Sequence, residues 1–190
     1  MRLAILLPIL LAIVAAFYLG YATPLVAREV FFQAPAITEN GEGTMAEFKL
    51  WLRPGDGRIL VNIDNAFYRE DSENSVRKAK KIAERFVGLK LTSYDLIVEV
   101  VGEQRIVGGE SAGMLFSAGI VAAFTSRKIR GDATGSAAVT ENGSLVAIDG
   151  IEEKLRAAAQ AEKKYFIVSK GQQINREAEF AQLIQIVRVE

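Results

Sequence analysis

The stretch Gly108-Gly109-Glu110-Ser111-Ala112-Gly113, with the apolar run Met114 to Thr125 behind it, decides how the rest of this chain is read. Two glycines ahead of a serine make a loop whose backbone can approach another group closely. The residues after the serine read as a helix with small side chains on several faces (Ala112, Gly113, Ala118, Gly119, Ala122, Ala123), suited to close packing on neighbours. A serine at such a junction is either a helix N-cap or an exposed hydroxyl available for chemistry. The chain contains no histidine and no cysteine. A Ser-His-Asp triad and a Cys-His pair are therefore excluded. If Ser111 is a nucleophile, another group must take its proton, and lysine is the usual substitute. Lys154, in Gly150-Ile151-Glu152-Glu153-Lys154-Leu155, is the candidate.

On either side of this stretch the pattern is mixed. Glu47 to Leu52 alternates apolar and polar residues as a strand does, and Pro54-Gly55-Asp56-Gly57 turns it toward a returning strand over Arg58 to Ile63, as in a hairpin. Asp71 or Ser72 caps a helix in which Val76, Ala79, Ile82, Ala83 and Phe86 recur at helical spacing, ended by Gly88. Tyr94 to Val101 is a buried strand. After the serine helix, Ala137 to Thr140 and Leu145 to Ile148 flank an Asn142-Gly143 turn as a hairpin. A helix over Ile151 to Lys164, a strand over Tyr165 to Val168, a short helix near Arg176 to Leu183 and a strand near Ile184 to Val189 complete the chain. Helices and strands mixed without a regular repeat imply the α+β class.

Composition narrows the function. The 190 residues are 50% hydrophobic and 24% charged, with 23 basic and 23 acidic side chains and a formal net charge of zero. That suits one globular core, and no basic excess points to nucleic acid. Without cysteine there are no disulfides, and without histidine or cysteine the usual zinc ligand sets are missing. No metal or cofactor is expected. No Gly-x-x-x-x-Gly-Lys-Ser/Thr loop occurs, so no ATP site of that kind is expected either.

Leu3 to Ala22 stands apart: LAILLPILLAIVAAFYLGYA carries no charge. At about 1.5 Å per residue it reaches about 30 Å as a helix, enough to cross a bilayer's hydrocarbon core. Residues 1–22 are read as a transmembrane signal anchor, or alternatively as a signal peptide. Arg2 and the amino terminus precede the segment, which weakly places the following domain outside the cytoplasm by the positive-inside rule. Residues 23–46, with Pro24, Pro35, Gly41 and Gly43, read as a linker, and 47–190 as the domain.

The chemistry sets its own demands on the pair. An ordinary lysine amine is protonated near neutrality and cannot accept a proton. Burial among apolar groups disfavours the ammonium, and Lys154 has Ile151, Leu155, Ala157 and Ala158 around it in sequence. Glu152 and Glu153 would oppose that shift if they lay close. Amides at the start of the serine helix are placed to stabilise an oxyanion.

These residues resemble the proteolytic domain of Lon proteases. That family's signatures are Gly-Pro-Ser-Ala-Gly around the nucleophile and Gly-Gly-Leu-Lys-Glu-Lys around the lysine. This chain has Gly109-Glu110-Ser111-Ala112-Gly113 and Asp149-Gly150-Ile151-Glu152-Glu153-Lys154, and the likeness runs without a gap from Ile129-Arg130-Gly131-Asp132 to Lys154. The resemblance implies a Lon-like α+β fold behind one N-terminal transmembrane helix. It implies a serine endopeptidase in which Ser111 attacks the scissile carbonyl and Lys154 serves as base and then acid. Gly109, Glu110 and Ala112 would form the oxyanion and substrate loop. A family threonine that orients the lysine corresponds to Ser136, with Thr134 as the rival if the loop is shifted.

The resemblance further implies polypeptide substrates, and a homo-oligomer, since Lon proteolytic domains are associated with hexameric rings. With no ATP-driven unfoldase, the substrates would be unfolded or flexible chains, here near a membrane. Glu110 replaces the family proline, Ala138 stands where many members have glutamate, and Asp149 replaces a glycine. The alternative is a non-catalytic, membrane-tethered binding module on a Lon-like scaffold, the reading that Glu110 favours most.

Overall fold

Alternation along one strand builds the first core. Ala46, Phe48, Leu50 and Leu52 point to one side of strand β2 (Gly43–Pro54) and are buried, whereas Glu47, Lys49 and Trp51 point to the other and are only half-buried. The computed structural model describes residues 29–61, 70–101, 106–107 and 109–190. In it β2 pairs antiparallel with β1 (Val30–Thr38) on one edge and with β4 (Tyr94–Val101) on the other. With β3 (Ile59–Val61) and β5 (Ile106–Val107) they form a five-stranded sheet in the order β3-β4-β2-β1-β5.

Helices α1 (Glu70–Val87) and α2 (Gly113–Thr125) cover the buried face. Gly88, at φ +72°, ends α1 in the left-handed conformation that glycine adopts without strain. Phe32 and Phe48 stack with ring centroids 5.5 Å apart, and the Phe116 ring of α2 meets both edge-on at 5.9 and 5.2 Å. Each such aromatic pair adds about 0.5–1.5 kcal/mol beyond simple burial.

A second core lies behind the start of β2. Strands β6 (Ala133–Gly135), β9 (Tyr165–Ser169) and β10 (Gln185–Val189) form a parallel sheet in the order β10-β9-β6. Its crossovers carry α3 (Ile151–Gln160) and the short α4 (Glu177–Phe180). Ile151, Leu155, Phe166, Val168 and Phe180 fill this core, and Met45 of β2 packs against it. Gly43 is the seam between the halves: a Cβ there would collide with the Glu153 carbonyl and crowd Ala157 of α3. Strands β7 (Ala138–Val139) and β8 (Leu145–Val146) form the expected hairpin about Asn142-Gly143.

Two expectations are corrected. Part of the expected linker, Val30 to Thr38, is strand β1, with Val30, Phe32 and Ala34 buried, so the domain begins well before residue 47. The returning strand does not pair with β2. The Asp95 carboxylate accepts the Asp56 and Arg58 amides at 3.0 Å each, and Gly55 lies tight against it. This holds the Pro54–Gly57 turn across the end of β4, and β3 therefore joins the far edge of β4, parallel to it. The architecture is mixed α and β, as the α+β reading requires, although its second half contains parallel crossovers that reading did not include. No described helix is long and apolar enough to cross a membrane, and the expected span over 3–22 lies outside the described residues.

Candidate active site

Ser111 and Lys154 reach one another from different cores. Ser111 sits in a single 3-10 turn, Glu110–Ala112, that leads directly into α2 of the first core. Lys154 lies on the first turn of α3 in the second. Gly150, at φ +65°, takes the left-handed conformation just ahead of α3, and its carbonyl accepts the Lys154 amide at 3.2 Å. That start aims the lysine side chain at the serine. Lys154 Nζ donates to Ser111 Oγ at 3.0 Å and to the Asp149 carbonyl at 3.4 Å.

Lys154 is 5% exposed. Loss of hydration disfavours its ammonium and lowers the amine's pKa from 10.5 to about 8, against the opposing pull of Asp149 and Glu153. Glu152, the other neighbouring carboxylate, turns to Arg176 at 2.7 Å instead. Such an amine is partly neutral near pH 8, and neutral amine beside a serine hydroxyl is the condition for proton transfer between them.

The turn that presents Ser111 is held by three elements. The Ser111 carbonyl accepts the Ala137 amide at 3.0 Å and the Ser136 hydroxyl at 3.2 Å. Met114 donates its amide back to the Ala137 carbonyl at 3.3 Å. From α1, the buried Ser75 hydroxyl donates to the Glu110 carbonyl at 3.3 Å, and Lys78 Nζ meets the Glu110 carboxylate at 2.5 Å. Gly113 fits between α1 and β7, where a Cβ would lie 2.9 Å from Val139 Cγ2 and 3.0 Å from Ser75 Oγ.

Ser136 is in the site, but its hydroxyl steadies the backbone of Ser111 and not the amine of Lys154. Thr134, its rival, donates to the Gln33 carbonyl of β1 at 2.8 Å and belongs to the junction between the sheets. Glu110, which weighed toward a non-catalytic reading, is neutralised by Lys78, and the charges that act on Lys154 are Asp149 and Glu153. Gly109 and Ala112 flank the serine on the same turn. Ser75 and Lys78 were not read as site residues; they stand more than thirty residues before Glu110, and no spacing in the sequence links them. Among the described residues no three His, Cys, Asp or Glu side chains converge as a metal-binding group.

Residues 81–188 match the family model of the Lon protease (S16) C-terminal proteolytic domain. An archaeal Lon protease of Thermococcus kodakarensis is 25% identical over 116 residues, 61% of this chain and 18% of the relative. One from Archaeoglobus fulgidus is 21% identical over 126 residues, 66% of this chain and 20% of the relative. A Lon protease of Fervidobacterium nodosum is 27% identical over 144 residues, 74% of this chain and 17% of the relative. The chain spans a fifth or less of the length of these relatives.

Proposed function

The chain belongs to the Lon protease (S16) proteolytic-domain family, and on that footing we propose that it is a serine endopeptidase working through a Ser111–Lys154 dyad without ATP. The observation that carries the reading is the 3.0 Å contact from a buried, partly neutral amine to the hydroxyl of a serine at a helix start. In the proposed reaction neutral Lys154 takes the Ser111 proton as Oγ attacks the scissile carbonyl. The negative charge that develops on the carbonyl oxygen is met by backbone amides of the Gly109–Ala112 turn at the positive end of α2. The Lys154 ammonium then gives its proton to the leaving amine. A water, deprotonated by the same lysine, hydrolyses the acyl-serine. Ser136, Ser75 and Lys78 act through the turn by holding its carbonyls and the Glu110 carboxylate in place.

Substrates in this proposal are unfolded or flexible polypeptides. Residues 3–22 anchor the protein in a membrane, the peptidase domain lies on the extracytoplasmic side, and the family's ring assembly is carried over as a homo-oligomer. The test is cleavage of an unstructured protein by the full chain in lipid, without ATP, beside Ser111→Ala and Lys154→Met. Cleavage by the parent and loss in both folded variants is expected. A folded parent that does not cleave, or a Lys154→Met variant that still does, overturns the dyad.

A further inference from the structure

An apolar groove of about 530 Å³ runs along α2 from Leu115 to Thr125, with Ile82 and Phe86 of α1 on one side and Thr134 and Ile167 of the second sheet on the other. Phe86, Ala118, Val121 and Ile129 are among its lining, and Phe86 is 77% exposed. Its lining is almost wholly apolar. At one end of the groove Arg127, Lys128 and Arg130 form a basic rim. The groove shares Arg130 and Ala133 with a smaller cleft that is also lined by Phe31, Gln33 and Lys163. The acidic groups here are Glu47, in the smaller cleft, Glu29, paired with Lys49 at 2.7 Å, and Asp132, paired with Arg130 at 2.8 Å, and Arg127, Lys128, Arg130, Lys163 and Lys49 outnumber them.

This end is also where the N-terminal segment joins the domain. The described chain starts at Glu29, two residues before Phe31. Residues 23–28 separate it from the apolar segment 3–22 and can span at most about 20 Å. A domain of this size has a radius of gyration of about 15 Å. So short a tether cannot carry the bilayer to the opposite end of the domain. The dyad lies toward that opposite end. Strand β1 runs for about 30 Å from Val30 to Thr38, and Ile37, next to its end, packs where a Cβ on Gly150 would stand. The length of α2, about 20 Å, separates Ser111 from Thr125 at the basic end of the groove, whose other end reaches back to Leu115.

We infer that the basic end of the α2 groove, with its Arg127-Lys128-Arg130 rim, forms a membrane-facing surface that rests on anionic phospholipid and holds the Ser111 site, a helix length away, off the bilayer. The inference builds on the proposed anchor. Apolar side chains enter the boundary between headgroups and acyl chains while the basic rim meets lipid phosphates, the arrangement of interfacial protein surfaces. Its consequence for substrate choice is specific. Chains cut at Ser111 would have to extend well clear of the membrane, and segments lying flat on it would escape.

Because the chain has no cysteine, single labels can be introduced without removing native thiols. The full chain carrying Ala118→Cys in the groove, or Asn40→Cys in the β1–β2 turn at the far end of β1, is labelled with an environment-sensitive fluorophore. Each is reconstituted into vesicles of phosphatidylcholine with or without phosphatidylglycerol, with a quencher near the headgroup. The expected result is flotation with the vesicles and quenching at position 118 but not at position 40. Quenching at 118 should also depend on phosphatidylglycerol and fall about fivefold or more in Arg127→Glu/Lys128→Glu, the scale set by one basic side chain at an anionic surface. Flotation without quenching at 118, with quenching at both positions, or with quenching indifferent to phosphatidylglycerol overturns the membrane face and leaves the anchor standing. Failure to float overturns the anchor, and the face with it.

Discussion

The pH dependence of cleavage is the sharpest consequence of a buried amine with a pKa of about 8. About a tenth of such amines are neutral at pH 7, about half at pH 8 and about nine-tenths at pH 9. If neutral Lys154 is the base, kcat/KM should rise about fivefold from pH 7 to 8 and about twofold more by pH 9. Asp149→Asn removes the larger of the two charges that stabilise the ammonium. A pairwise attraction of about 1 kcal/mol, the size expected for a partly exposed pair, corresponds to about 0.7 of a pKa unit. The variant's profile should therefore reach its midpoint at lower pH, and its activity at pH 7 should exceed that of the parent. The assay is kcat/KM on an unstructured substrate whose own groups do not titrate between pH 6 and 10, with secondary structure monitored across the range. A parent profile flat from pH 7 to 9, or a midpoint that moves upward in Asp149→Asn, would refute the assignment of Lys154 as the base.

Other expectations follow from the same contacts. Lys154→Met abolishes cleavage yet raises stability at pH 7 by about 3 kcal/mol, because the fold no longer has to bury an ammonium. The sign is set by a folded-state pKa below the unfolded one: the penalty is complete below pH 8, shrinks between pH 8 and 10.5 and is gone above, so denaturant curves of variant and parent should converge in alkali. Ser136→Ala removes one of two donors to the Ser111 carbonyl; the loss of about 1 kcal/mol predicts a several-fold fall in kcat with KM little changed, read by steady-state kinetics. Gly113→Ala, which on an open helix would stabilise, should here cost about 1–3 kcal/mol by crowding Val139 and Ser75, measured as a lowered denaturation midpoint. Asp95→Asn should lower the thermal midpoint at pH 7, and progressively less as pH falls below the ordinary aspartate range. The two backbone donors and Arg53 hold this carboxyl below its ordinary range, and the stability it gives is lost as pH falls through its folded-state pKa.

The site's two principal residues were legible because their surroundings are local. Ser111 is followed by its own helix, and Lys154 is preceded by the glycine that starts its helix. Strands β2 and β4 and the Asn142-Gly143 hairpin were legible for the same reason, since alternation and turn chemistry act over a few residues. What was missed depends on distant partners. β1 looked like a linker because of Pro35, yet that proline is tolerated where β1 pairs only with β2; contact with β5 is confined to Ile37 and Thr38. The placement of β3 follows from Asp95, which no reading of the Pro54–Gly57 turn by itself could include. β6 has three residues, too few for a period to register. Ser136 was found by resemblance, but which atom its hydroxyl would serve depended on where β6 left the second sheet.

The division of Ser111 and Lys154 between two cores bears on how such an enzyme survives its own synthesis. Each core is filled by its own cluster of side chains, with Ser111 presented by the first and Lys154 by the second. The 3.0 Å contact exists only once the halves have docked across the Gly43 seam. A newly made or partly melted chain, which offers the flexible backbone that the proposed peptidase would cut, is thus without a working dyad while it is most vulnerable. For the proposed peptidase, latency of this kind would protect sibling molecules from autolysis until folding is complete.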